Sequence, residues 1–221
     1  MVRTPDAGKV DAAPAPAAPP RKRGRPRAFE PEVALKQALD TFRQTGFSAT
    51  SLDDLSAAMG INRPSLYGTF GDKRELFLKA YQRYRGETNA LFAPAFDPKL
   101  TLRQMLEMVF ATAIKIYLSG EKGPRGCFTV MTAASEAMSD PEIREIVQKA
   151  ILNADRTFAE RFRLAMTLGE LPAASDCDTL AKLLSASIQS IAIRSRAHVP
   201  RAELEAMARS TIDLIAGPPR V

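Results

Sequence analysis

The chain has 221 residues, of which 45% are hydrophobic, and a formal net charge of +6 at pH 7. This length and apolar content suit one or two globular domains with a substantial core. One histidine and two cysteines without metal-type spacing predict no metal site, no cofactor and no His-based triad. Because no apolar run approaches the ~20 residues that span a membrane, and no secretory signal is visible, we predict a cytoplasmic protein with no membrane partner.

The positive charge is concentrated in one part of the chain. Residues 21–84 carry twelve Lys/Arg against seven Asp/Glu, a net charge of +5, whereas residues 85–221 carry a net charge of +1. This distribution predicts an anionic partner that contacts one end of the molecule. A membrane surface is the alternative, but the basic part lacks a long basic amphipathic helix.

The N-terminal arm, residues 1–27, differs in composition from the rest. Residues 1–20 are rich in Ala and Pro and cannot form a core, so we predict disorder there. The following RKRGRPR resembles an AT-hook, an extended basic segment that enters the narrow minor groove of A·T-rich DNA. The contacting residues would be Arg23, Arg25 and Arg27. A charged tail that grips phosphates without reading bases is an equally good interpretation.

Two short helices joined by a tight turn are predicted next, after a first helix over residues 32–45. Thr50 and Asp53 have the spacing of a helix start, and Gly60 is suited to ending that helix. Asn62 can cap a second short helix, residues 63–70, in which Leu66 and Phe70 face inward. Its outward-facing residues are Arg63, Ser65, Tyr67 and Thr69. The pattern is that of a helix-turn-helix.

A longer helix, residues 73–90, follows at once, because Asp72 and Glu75 form another start signal. The run from Phe29 to Leu78, above all SLYGTFGDKRELF at 65–77, resembles the DNA-binding domain of TetR-type transcriptional regulators. The resemblance implies a DNA-binding domain over residues 28–84 and a ligand-binding and dimerisation domain over residues 85–221. It assigns base or phosphate contacts to Thr50, Arg63, Ser65, Tyr67, Thr69 and Lys73.

The rest of the chain is also predicted to be helical. Helical periodicity covers residues 101–118, 127–138, 140–168, 176–197 and 200–216, and no period-two pattern of a strand occurs. The predicted fold is therefore all-α, with an N-terminal three-helix domain and a C-terminal helical bundle. A weaker resemblance to one subgroup of the family lies in GCFTV and AMTLGEL.

One helix in the C-terminal half has no charged face. Residues 183–193, LLSASIQSIAI, carry no charge, so this helix must be covered on more than one side. The resemblance implies a homodimer in which the last two helices form a four-helix bundle across a two-fold axis. The predicted interface residues are Leu183, Ser187, Ile191, Met207 and Thr211.

The resemblance also implies a small-molecule pocket inside the C-terminal bundle. The bulky candidates for its lining are Met105, Met108, Phe110, Tyr117, Phe128, Met131, Phe162 and Met166. Met and aromatic residues at helical spacing are more often ordinary core, so this assignment competes with a purely structural one. The scarcity of charge on these helices favours a neutral apolar or aromatic effector.

Together these features predict a homodimeric, ligand-responsive repressor that binds a palindromic operator in double-stranded DNA. The alternative is an architectural DNA-binding protein that uses its basic arm with little sequence preference. An enzyme is not predicted, because the sequence contains no GxxxxGK or GxGxxG loop and no marked catalytic pair.

Overall fold

The computed structural model describes residues 29–120 and 123–218, and within them the chain is helical without a β-strand, which confirms the all-α prediction. The α-helices in chain order are α1 (Pro31–Thr45), α2 (Leu52–Met59), α3 (Arg63–Phe70), α4 (Lys73–Phe92), α5 (Leu102–Leu118), α6 (Ala134–Glu136), α7 (Pro141–Thr167), α8 (Cys177–Arg196) and α9 (Arg201–Ala216). A 3₁₀ turn (Ala93–Phe96) follows α4, and a turn of π-helix (Thr129–Ala133) precedes α6.

The start of α2 lies one residue later than the sequence predicts. The Ser51 hydroxyl accepts from the Asp54 amide, and the Asp54 carboxylate accepts from the Ser51 amide, so these two residues form a capping box. Thr50 is instead buried, and its hydroxyl donates to the Gly46 carbonyl. The prediction that Thr50 and Asp53 start the helix is therefore wrong by one position, since Ser51 can cap equally well.

The recognition helix α3 is fixed at both ends. The Asn62 side chain accepts from the Ser65 amide at 2.9 Å, as predicted for an N-cap. Gly71 ends the helix with a φ of +83°, and a Cβ there would lie 1.5 Å from the Glu75 carboxylate. That carboxylate accepts from the Asp72 amide, so the tight turn and the start of α4 need glycine at position 71.

The N-terminal core forms where α1 to α4 meet around Phe77. The ring of Phe77 packs edge-on against Phe42, with centroids 5.3 Å apart, and against Phe128, with centroids 5.4 Å apart. Phe128 comes from the segment before α6, and Ile143 and Val147 of α7 join the same cluster. The N-terminal unit is therefore completed by residues from the second half of the chain.

A second core holds α5, α7, α8 and α9 together. One broad face of α5 is buried and includes Phe110, while Glu107 and Lys115 are exposed on the opposite face. The largest buried side chains of this core include Met105, Leu106, Phe110, Phe162 and Leu184. The short helix predicted over residues 127–138 is present as a continuous helical segment over residues 128–136, whose first part is the π turn and whose last part is α6. Phe128 at its start packs in the N-terminal core.

Polar contacts tie the two cores together. Arg74 near the start of α4 donates to Asp140 and Glu142 at the start of α7. Arg196 at the end of α8 donates to the carbonyls of Arg43 and Gln44 at the end of α1. These contacts join α7 to α4 and α8 to α1.

Candidate nucleic-acid interface and internal cavity

The exposed face of α3 carries the polar residues predicted to contact DNA. Arg63 and Tyr67 are exposed, while Ser65 and Thr69 are partly buried. Leu66 and Phe70 are buried on the opposite face, as predicted. Because the inward residues anchor the helix, its outer face is presented as a rigid ridge that can enter a major groove.

Arg63 is held by a carboxylate from α2. Its Nε and Nη2 donate to the two carboxylate oxygens of Asp53 at 2.9 and 2.7 Å. This hydrogen bonding, with the charge of Asp53, raises the pKa of Arg63 above its ordinary value. The sequence placed Asp53 at the start of α2 and gave no sign of this pair, which depends on the angle between the two helices.

Thr50 does not lie on this surface. Its side chain is only 1% exposed, and its hydroxyl also lies 2.6 Å from the Thr45 hydroxyl. The prediction that Thr50 contacts a phosphate is therefore contradicted, because its hydroxyl is occupied inside the domain. The exposed hydroxyl at the N-terminus of α2 belongs instead to Ser51, the residue that caps this helix.

Lys73 lies at the first position of α4. Its ammonium group is 4.4 Å from the centroid of the Phe47 ring, where the π-system attracts a cation. Here the positive end of the helix and the ammonium lie together, a combination that favours a phosphate. The basic-arm residues Arg23, Arg25 and Arg27 lie outside the described residues.

A cavity of about 390 Å³ lies between the C-terminal half of α4 and the helices α5, α7 and α8. Its walls combine aromatic rings, among them Tyr84, Phe92, Tyr117 and Phe158, with polar side chains. This mixture is typical of a small-molecule site, in which a few polar groups orient a mainly apolar ligand.

The predicted lining residues are mostly elsewhere. Tyr117 borders the cavity, but Met105, Phe110 and Phe162 are fully buried in the C-terminal core and Phe128 is buried in the N-terminal core. Met108 is 37% exposed on the outer face of α5. Met131 lies beside Gly126, and Met166 packs against Cys177, so neither lines the cavity. These assignments fail for one reason: most of the large apolar residues proposed for the cavity pack in the two hydrophobic cores instead.

The lining residues that the sequence analysis missed lie mainly on α7, between Ala150 and Phe158, and on α4. Tyr84, Arg85, Thr88 and Asn89 face the cavity. Their only signal was the recurrence of non-charged residues every four positions, from Tyr84 through Thr88 to Phe92, on a helix otherwise rich in charge. The same helix therefore begins at the DNA-facing end and forms a cavity wall further along.

The phenols at the cavity are neutral at physiological pH. Burial, followed by the nearby Cys127, raises the pKa of Tyr84 and of Tyr117 well above the ordinary value of a tyrosine. The Tyr84 hydroxyl donates to the Cys127 sulfur at 3.5 Å and accepts from the Phe128 amide at 3.3 Å. These rings therefore offer apolar surface to a ligand, and no charge.

The predicted interface residues of α8 and α9 fall into two groups. Leu183 is 56% exposed, and Ser187, Met207 and Thr211 are partly buried. Ile191 is fully buried in the protomer's own core, because its face of α8 packs inward. The assignment of Ile191 to an intersubunit surface is therefore wrong.

In the described ranges, 29–120 and 123–218, no helix has the length and apolar character needed to cross a bilayer. The same ranges contain no cluster of three or more His, Cys, Asp or Glu that could hold a metal ion.

Comparison with known proteins defines the class first. Residues 34–80 match the family described as bacterial regulatory proteins of the tetR family, and residues 103–211 match the tetracyclin repressor-like C-terminal domain. The two matches cover the helix-turn-helix and, of the helices around the cavity, α5, α7 and α8. The chain therefore belongs to the TetR family of transcriptional regulators, as its sequence predicted.

Individual relatives are repressors. The chain is 29% identical to the HTH-type transcriptional repressor ComR of Escherichia coli K12 over 195 residues, which cover 88% of this chain and 92% of ComR. It is 34% identical to the repressor BdcR of the same organism over 134 residues, 61% of this chain and 66% of BdcR. Among solved structures, a cysteine-substituted CifR bound to a 26-bp operator DNA matches with a TM-score of 0.79 and 29% identity, covering 87% of this chain and all of that one.

Proposed function

We propose that the protein is a homodimeric repressor that binds a short palindromic operator and releases it when a small molecule enters the cavity. The observation that carries this proposal is the placement of α4, whose first residue follows α3 after a two-residue turn and whose C-terminal half lines the cavity. The characterised relatives named above are repressors, and CifR was solved on its operator, which supports the same role here. We infer a cytoplasmic DNA-binding protein rather than an enzyme.

The route from cavity to DNA runs along two helices. Tyr84, Arg85 and Thr88 on α4 and Ala154 and Phe158 on α7 contact the same space. A ligand that moves these walls changes the angle between α4 and α7, which are joined at their N-termini by Arg74 and Asp140. Since α3 packs on α4, that change alters the spacing of the two recognition helices in a dimer.

The base-reading role falls to α3. We infer that Arg63 and Ser65 contact base edges in the major groove, and that Tyr67 and Thr69 contact bases or phosphates. Lys73 positions the protein on a phosphate. Residues 21–27 add positive charge immediately before α1 and would contact the flanking duplex, either in the minor groove or along phosphates.

The experiment that tests this proposal is a footprint of the full chain on the promoter region beside its own gene. We expect protection of one short palindrome that survives excess competitor DNA. Protection spread over the whole fragment with little sequence preference would instead support the architectural alternative. A matched fragment with one half-site scrambled serves as the control, because a dimeric reader should lose protection of both halves together.

A further inference from the structure

The cavity wall contains one charged residue among the described residues that line it, Arg85. No Asp or Glu borders the cavity within those residues, and Arg85 forms no ion pair with any described carboxylate. Most other arginines of α4 and α7 are paired, as Arg74, Arg83 and Arg163 show. Within the part of the chain that the structure describes, the positive charge of Arg85 at the cavity therefore has no ion-pair partner.

The neighbours of Arg85 leave that charge available. Arg85 is partly buried, and its positive charge acts on the hydroxyls of Tyr81 and Tyr117, both of which are neutral phenols. The carboxylate of Asp155, next to the lining residue Ala154, accepts a hydrogen bond from Ser185 at 2.5 Å. Asp155 is thus hydrogen-bonded to the lining residue Ser185 of α8, and among the described residues it forms no ion pair with Arg85.

The rest of the wall sets the shape of the ligand. Phe92, Phe96 and Phe158 provide flat apolar surface, with Phe96 and Phe158 only 5.9 Å apart between ring centroids. The amides of Asn89 and Gln189 add hydrogen-bonding capacity that carries no charge. A volume of about 390 Å³ accommodates a one- or two-ring molecule.

We propose that the effector is an aromatic molecule with a single anionic group, of the aromatic carboxylate class, whose acid pairs with Arg85 while its ring lies among the cavity phenylalanines. An arginine offers a carboxylate two parallel N–H donors, and the partly buried position strengthens that pair. This inference rests on the proposed function of the cavity. The sequence predicted a neutral effector from the low charge of these helices. The structure instead favours an anionic one, because Arg85 brings a positive charge to the cavity wall.

The test compares probes of equal shape and different charge on the full-length protein. Isothermal titration measures the affinities of 2-naphthoate and of the neutral 2-naphthamide without DNA present. We expect 2-naphthoate to bind at least about tenfold more tightly, as a charge-assisted hydrogen bond predicts. In Arg85→Gln that preference should disappear while 2-naphthamide affinity is unchanged, which also shows that the cavity is intact.

The matched control is Lys149→Gln, which removes the same charge from an exposed site on α7 that is outside the cavity. It should keep the full preference, and Arg85→Lys should keep part of it. Equal affinity for both probes, no binding of 2-naphthoate, or an unchanged preference in Arg85→Gln would overturn the inference. Operator affinity with and without 2-naphthoate is measured separately: tight charge-selective binding that leaves the operator bound would contradict the proposed function and not the ligand class.

Discussion

The guanidinium of Arg63 is engaged on one side and open on the other. Asp53 accepts from Nε and Nη2, which leaves Nη1 and the outer hydrogen of Nη2 directed away from the carboxylate. A guanine edge needs two adjacent donors, and this outer side can supply them. By fixing the side chain before DNA arrives, Asp53 lowers the conformational entropy that Arg63 loses on binding.

Arg63 and Lys73 should therefore respond differently to alanine. Arg63→Ala should reduce affinity for the preferred half-site by about 1–3 kcal/mol and relax sequence preference, because it removes a bidentate base contact. Lys73→Ala should weaken all sequences alike and lower the salt slope by about one, because it removes a phosphate contact. Fluorescence anisotropy on operator and scrambled duplexes at several salt concentrations measures both effects.

Asp53→Asn supplies the control for this pair. It keeps the size of the side chain and removes the charge that holds Arg63, so part of the sequence preference should be lost while Arg63 remains present. If Arg63→Ala weakens operator and scrambled DNA equally, Arg63 is not a base reader.

For single residues, the sequence predicted which side chains are exposed better than it predicted which groups they contact. The outward residues of α3 follow from helical periodicity alone, so Arg63 and Tyr67 were placed correctly on the exposed face. Thr50 was misassigned because adjacent Thr50 and Ser51 are both good caps, and only tertiary packing shows that the Thr50 hydroxyl is used by Gly46. The Asp53–Arg63 pair joins two helices and has no signature in either one.

Among the helices, α4 and α7 share one polar junction. The Asp140 carboxylate caps α7 by accepting from the amides of Glu142 and Ile143, at 2.9 and 3.2 Å, and also accepts from Arg74 of α4. The hydrogen bond from Arg74 is the main cause that lowers the pKa of Asp140 from 3.8 to about 2. Because the folded-state pKa is depressed, the stabilisation is fully present above pH 3.8 and is lost as the pH falls towards 2.

Asp140→Asn should reduce the dependence of protein stability on pH between pH 2 and 6. The amide oxygen still caps α7, so the variant should fold, but it cannot attract Arg74 as a charge. We expect its thermal midpoint at pH 6 to be lower than that of the wild type, and the two curves to converge as the pH approaches 2. Thermal unfolding followed by circular dichroism between pH 2 and 6 measures the difference.

Glu145→Gln on the same helix is the control, because Glu145 forms an ion pair with the exposed Lys149 of the next helical turn. Its curve should stay close to that of the wild type, as expected of a surface i,i+4 pair. A constant gap between Asp140→Asn and wild type down to the lowest pH would contradict the role given to this ion pair.

The sequence predicted each of the helices, but it did not predict the π-helical turn before α6 or the packing of Phe128. Capping signals at Asn62, Asp72 and Asp140 are local, so the starts of α3, α4 and α7 could be predicted from the sequence. Phe128 could equally have served a cavity or a core. The packing of Phe128 against Phe77 shows that it completes the core of the DNA-binding unit.

For the molecule as a whole, the described protomer leaves apolar surface on its last two helices. On α8, Leu183 and Ile193 are 56% and 52% exposed, with the small residues Ala186 and Ser190 between them at intervals of three and four positions. On α9, Leu214 is 86% exposed. Small residues flanked by exposed aliphatic ones allow a second helix to approach closely, and a soluble monomer rarely leaves such a surface uncovered.

We therefore expect Leu183→Glu to produce folded monomers, because it places a charge on this surface without touching the core. Operator affinity should fall by about 10²–10⁴-fold, since a monomer loses the linked second half-site.

Ile191→Glu should instead unfold the protein, because Ile191 is fully buried. Leu91→Glu, at a leucine of α4 with 54% exposure, controls for the added charge and should remain dimeric. Sedimentation velocity at micromolar concentration separates these outcomes: a wild type that sediments as a monomer, or a dimeric Leu183→Glu, would show that this surface does not join two subunits.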